Sequence, residues 1–172
     1  MWLRSLNWSW ILAGFCSVCV LGSQLQAQEP TVTTVFLVRH AEKIDSSRDP
    51  DLAPEGRERA DRLRDLLQRT GASALFATQF KRTQQTLQPL STVLGVPVAV
   101  RQAQALNELV DEVKTKHPGE TVVLAGHSDT VPELIRLFSG TGIDPLGEDD
   151  YDNLFILFVT SEGLSRLVRL TY

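Results

Sequence analysis

From residue 32 onward, short β-branched and apolar runs alternate with helix-period segments, and this alternation constrains the fold more than any other feature of the chain. Val32 to Val38 reads as a strand. Pro54 to Arg69 reads as a helix: Ala60, Leu63 and Leu67 share one face, Arg and Asp fill the other, Pro54 suits a first turn and Gly71 a stop. Ala74 to Ala77 is a short buried strand, and Lys81 to Leu94 a second helix that carries Pro89 and ends at Gly95. Val96 to Val100 reads as an edge strand, Ala103 to Lys116 as a helix stopped by His117-Pro118-Gly119, and Thr121 to Ala125 as a strand. Val131 to Phe138 is a short helix and Ser139 to Asp152 a Gly- and Asp-rich loop. Leu154 to Val159 and Leu164 to Leu170 form a closing hairpin around Ser161-Glu162-Gly163. The pattern predicts an α/β fold, a three-layer sandwich with a largely parallel central sheet flanked by helices on both faces.

The residues before this domain read as a secretory signal. Arg4 supplies the positive start, Trp8 to Gly22 the apolar stretch, and Leu25-Gln26-Ala27 a cleavage site ending at Ala27. The apolar stretch is about 15 residues, short of the roughly 20 that a membrane-spanning helix needs. An uncleaved anchor is the alternative. Residues 1–27 are thus expected to be removed and residues 28–172 to form one periplasmic or secreted domain without stable membrane association. Both cysteines, Cys16 and Cys19, fall in the removed part, which excludes a disulfide and thiol chemistry in the mature domain. The net charge of −4 argues against a nucleic-acid partner.

Chemistry concentrates at the ends of two strands. Val32–Val38 runs into Arg39-His40, and Thr121–Ala125 runs into Gly126-His127. In open α/β sheets ligands bind just beyond the carboxyl ends of strands. If the two strands are parallel neighbours, two of the chain's three histidines meet at one edge beside an arginine. A single histidine at a strand end is more often a polar cap; two at such positions tip the reading toward function.

Phe36-Leu37-Val38-Arg39-His40-Ala41-Glu42-Lys43 resembles the signature of the histidine phosphatase superfamily, the phosphoglycerate-mutase-like clan, in its small bacterial branch 1 form. Leu52-Ala53-Pro54-Glu55-Gly56-Arg57 is similar to that family's first helix entry. Thr78 to Thr86 resembles its Ser-x-x-x-Arg-x-x-Gln-Thr segment, with Thr78 in place of Ser, and Gly126-His127-Ser128 resembles its second-histidine motif. The resemblance spans Val35 to Phe138. It implies that His40 is a nucleophile and that Arg39, Arg82 and His127 hold a phosphoryl group. Arginine offers planar, permanently charged donors that match phosphoryl oxygens and stabilise charge in the transition state. A neutral imidazole nitrogen of His40 attacks phosphorus to form a phosphohistidine, and nearby positive charge favours that neutral form. No cofactor is implied, and the chain shows neither an HExxH motif nor a carboxylate cluster for a metal.

The general acid is open between two carboxylates. Glu108, 26 residues after Arg82, resembles the carboxylate of the mutase branch; its plain alternative is a solvated helix residue beside Asp111 and Glu112. Asp129 is the rival: the acid-phosphatase branch places its acid directly after the second histidine, whereas here Ser128 intervenes. Glu42, Lys43 and Asp45 shape the pocket mouth or are merely solvated.

Gly126-His127-Ser128-Asp129 also resembles a serine-hydrolase elbow, but Thr130 stands where the second Gly belongs and no histidine follows Ser128 to complete the triad. His117, in a Pro-Gly turn, is expected on the surface. Only 44 residues separate Arg82 from His127, little room for the insertions of a mutase. The expected activity is therefore that of an exported phosphatase acting on a small phosphorylated substrate. The alternatives are a phosphohistidine protein phosphatase or a non-catalytic phospho-ligand-binding domain. Loops Ala41–Ala53 and Gly140–Asp152 would select the substrate, and Glu148, Asp149 and Asp150 are expected to disfavour strongly anionic ones.

Overall fold

The computed structural model describes residues 31–160, 163 and 165–172. The expected signal segment, within residues 1–30, and Ser161, Glu162 and Leu164 of the expected closing hairpin lie outside them. Six strands form one sheet: β1 (Val32–Arg39), β2 (Ala72–Thr78), β3 (Val98–Arg101), β4 (Thr121–Gly126), β5 (Asn153–Thr160) and β6 (Ser165–Thr171). Their order is β3-β2-β4-β1-β5-β6. The first four run parallel, and β5 and β6 are antiparallel. Four helices, α1 (Pro54–Leu67), α2 (Lys81–Leu94), α3 (Leu106–Lys116) and α4 (Thr130–Ser139), cover it.

The layering follows from period 2 in the strands meeting period 3.6 in the helices. On β1, Val35 and Leu37 pack against α3 and α4 through Leu109, Val113, Leu134 and Ile135. Phe36 and Val38 point the other way, toward Leu63 and Leu67 of α1 and Leu87 and Leu90 of α2. Both faces of β1 are buried, so its sequence is a continuous apolar run rather than an alternation. The expected three-layer α/β sandwich is the observed fold.

Local chemistry sets the helix ends. Pro54 occupies the first turn of α1. Gly95 closes α2 at φ 68, in the left-handed region that a Cβ disfavours. Asp129 caps α4 by accepting from the Thr130 N–H at 2.7 Å.

Two elements depart from the sequence reading. The third helix starts at Leu106 rather than Ala103, because the Gln79 side chain accepts from the Ala103 N–H at 2.8 Å and holds residues 103–105 as a loop. His117 is half-buried, not a free surface residue: its Nδ1 pairs with Glu120 at 2.8 Å and its ring meets Phe76 edge-on at 5.7 Å. Among the described residues no helix is long and apolar enough to cross a membrane.

Candidate active site

β1 and β4 are parallel neighbours, with Arg39 in register with Gly126. His40 and His127 therefore leave the sheet side by side, and the His40 N–H donates to the Gly126 carbonyl at 2.9 Å. Their rings lie 5.3 Å apart, edge to face. Only 4% of His40, 5% of Arg39 and 8% of His127 is exposed. They form the floor of a cleft of about 590 Å³ walled by loops from five connections. Lys43 comes from the β1–α1 loop, Phe80 and Arg82 from the start of α2, and Ala103 and Gln104 from the β3–α3 loop. Ser128, Asp129 and Thr130 come from the β4–α4 loop, and Glu148, Asp149 and Tyr151 from the α4–β5 loop.

The hydrogen bonds assign each imidazole its tautomer. His40 Nδ1 lies 2.8 Å from the Ala41 carbonyl, which only accepts, so Nδ1 carries the proton and Nε2 keeps its lone pair. Burial pushes the His40 pKa down to about 3, helped by the charges of Arg82 and Arg39 and opposed by the Ala41 bond. His40 is thus neutral, with a free nitrogen lone pair.

At His127 the logic runs the other way. An Arg82 Nη2 can only donate, so His127 Nδ1 accepts from it at 3.3 Å and Nε2–H donates to Thr78 Oγ1 at 2.9 Å. Thr78 passes its own hydroxyl proton to Thr83 Oγ1 at 2.9 Å, and Thr83 donates to the Phe80 carbonyl at 2.8 Å. Burial, with Arg82 second, lowers the His127 pKa to about 4.

The two arginines are held without carboxylate partners among the described residues. Arg39 Nη1 donates to the Gly147 carbonyl, and its guanidinium lies 4.2 Å over the Tyr151 ring. Arg82 Nη1 donates to the Arg48 carbonyl at 3.3 Å, and its guanidinium lies 4.5 Å over Phe80. Nε of each is buried and unpaired. One buried and one half-buried cation, each with an unspent donor, make a cradle for a compact anion at the cleft.

The Gln85-Thr86 pair of the α2 motif has a structural task. Thr86 Oγ1 accepts from the Ala41 N–H at 2.9 Å, and Gln85 Oε1 accepts from the Leu52 N–H at 2.8 Å. The loop after His40 is thereby tied to α2. Glu42 turns away into a bidentate pair with Arg59, so it is not a free acid at the mouth.

The structure separates the two candidate acids. Asp129 lines the cleft; Glu108, exposed on the first turn of α3, does not. Tyr151 and Phe80 are site residues that the sequence reading missed. Phe80 lies inside the Thr78–Thr86 motif and was within reach of it; Tyr151 sits in a Gly- and Asp-rich loop with no motif to flag it. Among the described residues, no group of three or more His, Cys, Asp or Glu is placed to hold a metal ion.

Residues 35–109 match the model of the histidine phosphatase superfamily, branch 1. Solved structures of the same fold extend the likeness over the rest of the domain. The protein histidine phosphatase SixA, complexed with tungstate, aligns at 16% identity and a TM-score of 0.64, covering 80% of this chain and 96% of that one. A mycobacterial glucosyl-3-phosphoglycerate phosphatase aligns at 13% identity and 0.67, covering 82% and 98%. YhfR of Bacillus stearothermophilus aligns at 19% identity and 0.66, covering 79% and 95%. A search of curated proteins by sequence finds no match.

Proposed function

We propose that this chain is an exported phosphatase that hydrolyses phosphomonoesters through a phosphohistidine on His40, without a metal. The observation that carries the reading is the His40 tautomer: Nδ1–H is spent on the Ala41 carbonyl, so the Nε2 lone pair is free beside two arginines with unpaired donors. Arg39 and Arg82 take the phosphoryl oxygens and stabilise the charge that gathers there in the transition state. Arg82 turns its Nη2 from His127 to the phosphoryl group, and the freed His127 Nδ1, protonated beside the bound anion, donates to it and closes the cradle.

In the first step Nε2 attacks phosphorus, the P–O ester bond breaks, and the leaving oxygen takes a proton. Asp129 is the group that supplies it: Oδ1 is held by the Thr130 N–H, and Oδ2 has no partner among the described residues. Water then attacks phosphorus, Asp129 takes a proton from it, the P–N bond breaks, and neutral His40 returns with inorganic phosphate. Glu108, outside the cleft, has no part in this scheme.

Residues 1–27 carry the export part of the reading; N-terminal sequencing of exported protein should begin at Gln28. For the chemistry, phosphate release from an aryl phosphate is measured with EDTA present. Turnover should persist in the chelator and vanish in His40→Ala. Release that stops on chelation, or continues in the variant, overturns the mechanism. A chain that binds phosphate but releases none from aryl phosphate or phosphohistidine is a binding domain.

A further inference from the structure

Tyr151 touches two of the central groups, yet belongs to none of the motifs. Its ring lies 4.2 Å beneath the Arg39 guanidinium and 5.9 Å from the His40 imidazole. Sheet topology puts it there. β5 runs antiparallel to β1 with Leu154 opposite Val38, so the residues just before β5 arrive beside His40, at the edge where the parallel strands end.

The turn that presents Tyr151 is braced by its own side chain. Asp150 Oδ2 accepts from the Gly147 N–H at 2.7 Å, and the Asp150 N–H donates back to the Gly147 carbonyl at 3.3 Å. The same carbonyl accepts from Arg39 Nη1. One turn thus fixes the guanidinium twice, by one corner and by its plane. The donor left over is Nε, which has no partner among the described residues and suits an oxygen of a phosphoryl group.

Arg39 is 5% exposed, and a cation so buried normally keeps a carboxylate partner. A carboxylate would cancel its charge and repel an incoming anion. A carbonyl dipole and an aromatic face hold the cation while leaving its charge for the ligand.

We infer that Tyr151, braced by Asp150, is a positioning residue that holds Arg39 for the phosphoryl group in place of a carboxylate. The inference rests on the reading of Arg39 as a phosphoryl ligand. The test therefore includes a measurement that needs no turnover: calorimetric binding of inorganic phosphate and orthovanadate to the full chain, beside kcat and KM for an aryl phosphate.

Tyr151→Leu should weaken both oxyanions and raise KM about tenfold, the order of a desolvated cation–π contact. Tyr151→Phe, which keeps the face, should bind within about twofold of the parent. Asp150→Ala should shift binding in the same direction as Tyr151→Leu by a smaller factor, and it serves if the leucine variant does not fold. Oxyanion affinity unchanged in Tyr151→Leu, or lost equally in Tyr151→Phe, overturns the inference, as does unchanged affinity in Asp150→Ala. If the chain binds phosphate through Tyr151 but hydrolyses nothing, the phosphatase reading fails and the clamp stands. If it binds neither oxyanion, both fail.

Discussion

At His40 one hydrogen bond decides the chemistry. The Ala41 carbonyl takes the Nδ1 proton, and burial among positive groups keeps a second proton off Nε2. Imidazole NMR of the purified chain should show His40 as the Nδ1–H tautomer, with no titration between pH 8 and pH 5. A midpoint near the ordinary 6.5 would contradict the lowering by burial. Arg39, His40, Arg82 and His127 were legible in the sequence because each follows a strand or opens a helix at a recognisable spacing. The tautomers were not, since they depend on which atom each ring nitrogen meets across the fold: Thr78 and Arg82 are 49 and 45 residues from His127.

Among the elements, α1 and the loop after His40 are fitted without spare room. A Cβ on Gly56 would lie 2.2 Å from the Glu42 carbonyl oxygen, a backbone atom that cannot swing aside. Gly56→Ala should therefore push α1 off that loop and lower stability by about 2 kcal/mol in thermal or urea melts, with phosphate affinity falling alongside. A variant that melts with the parent would mean that the helix shifts freely. The acidic α4–β5 loop divides by role. Glu148 and Asp149 line the cleft, whereas Asp150 braces the turn. Neutralising Glu148 and Asp149 together should raise kcat/KM for polyphosphorylated substrates severalfold at low salt, an effect that added salt erases. The sequence reading grouped all three carboxylates, because composition does not reveal which way a loop side chain faces. Similarly, the start of α3 was misplaced because Gln79, 24 residues earlier, captures the Ala103 N–H.

For the molecule as a whole, the buried histidines tie stability to pH. Their folded pKa values, about 3 and about 4, lie below the ordinary 6.5, so the unfolded chain binds more protons as the pH falls. Their neutral burial is fully tolerated above about pH 6.5, and stability is lost progressively as pH drops toward 4. Between pH 6.5 and 5 the loss should be about 2 kcal/mol per histidine, and a chain with His40 and His127 both replaced by Asn should show a flatter profile. Equal stability of the parent at pH 7.5 and 5 would contradict the burial argument. Glu42 and Glu112 add a second loss only at lower pH. Burial opposes the downward shift of the Glu42 carboxyl pKa, which comes from its bond to Arg59, and the Arg101 bond leads in holding Glu112 at about 2.

The sequence by itself determined the alternation of strands and helices, hence the layered fold, and the arrival of two histidines and two arginines near strand ends. Those features are local: side-chain period and helix caps act within a few residues of the chain. Tertiary structure alone decided the strand order, which nitrogen of each histidine carries the proton, that Asp129 rather than Glu108 faces the cleft, and that Tyr151 lies under Arg39. Each of these depends on neighbours brought together by strand pairing and packing, and an antiparallel strand added to a parallel sheet delivers its entry loop to an edge that no local pattern in the chain specifies.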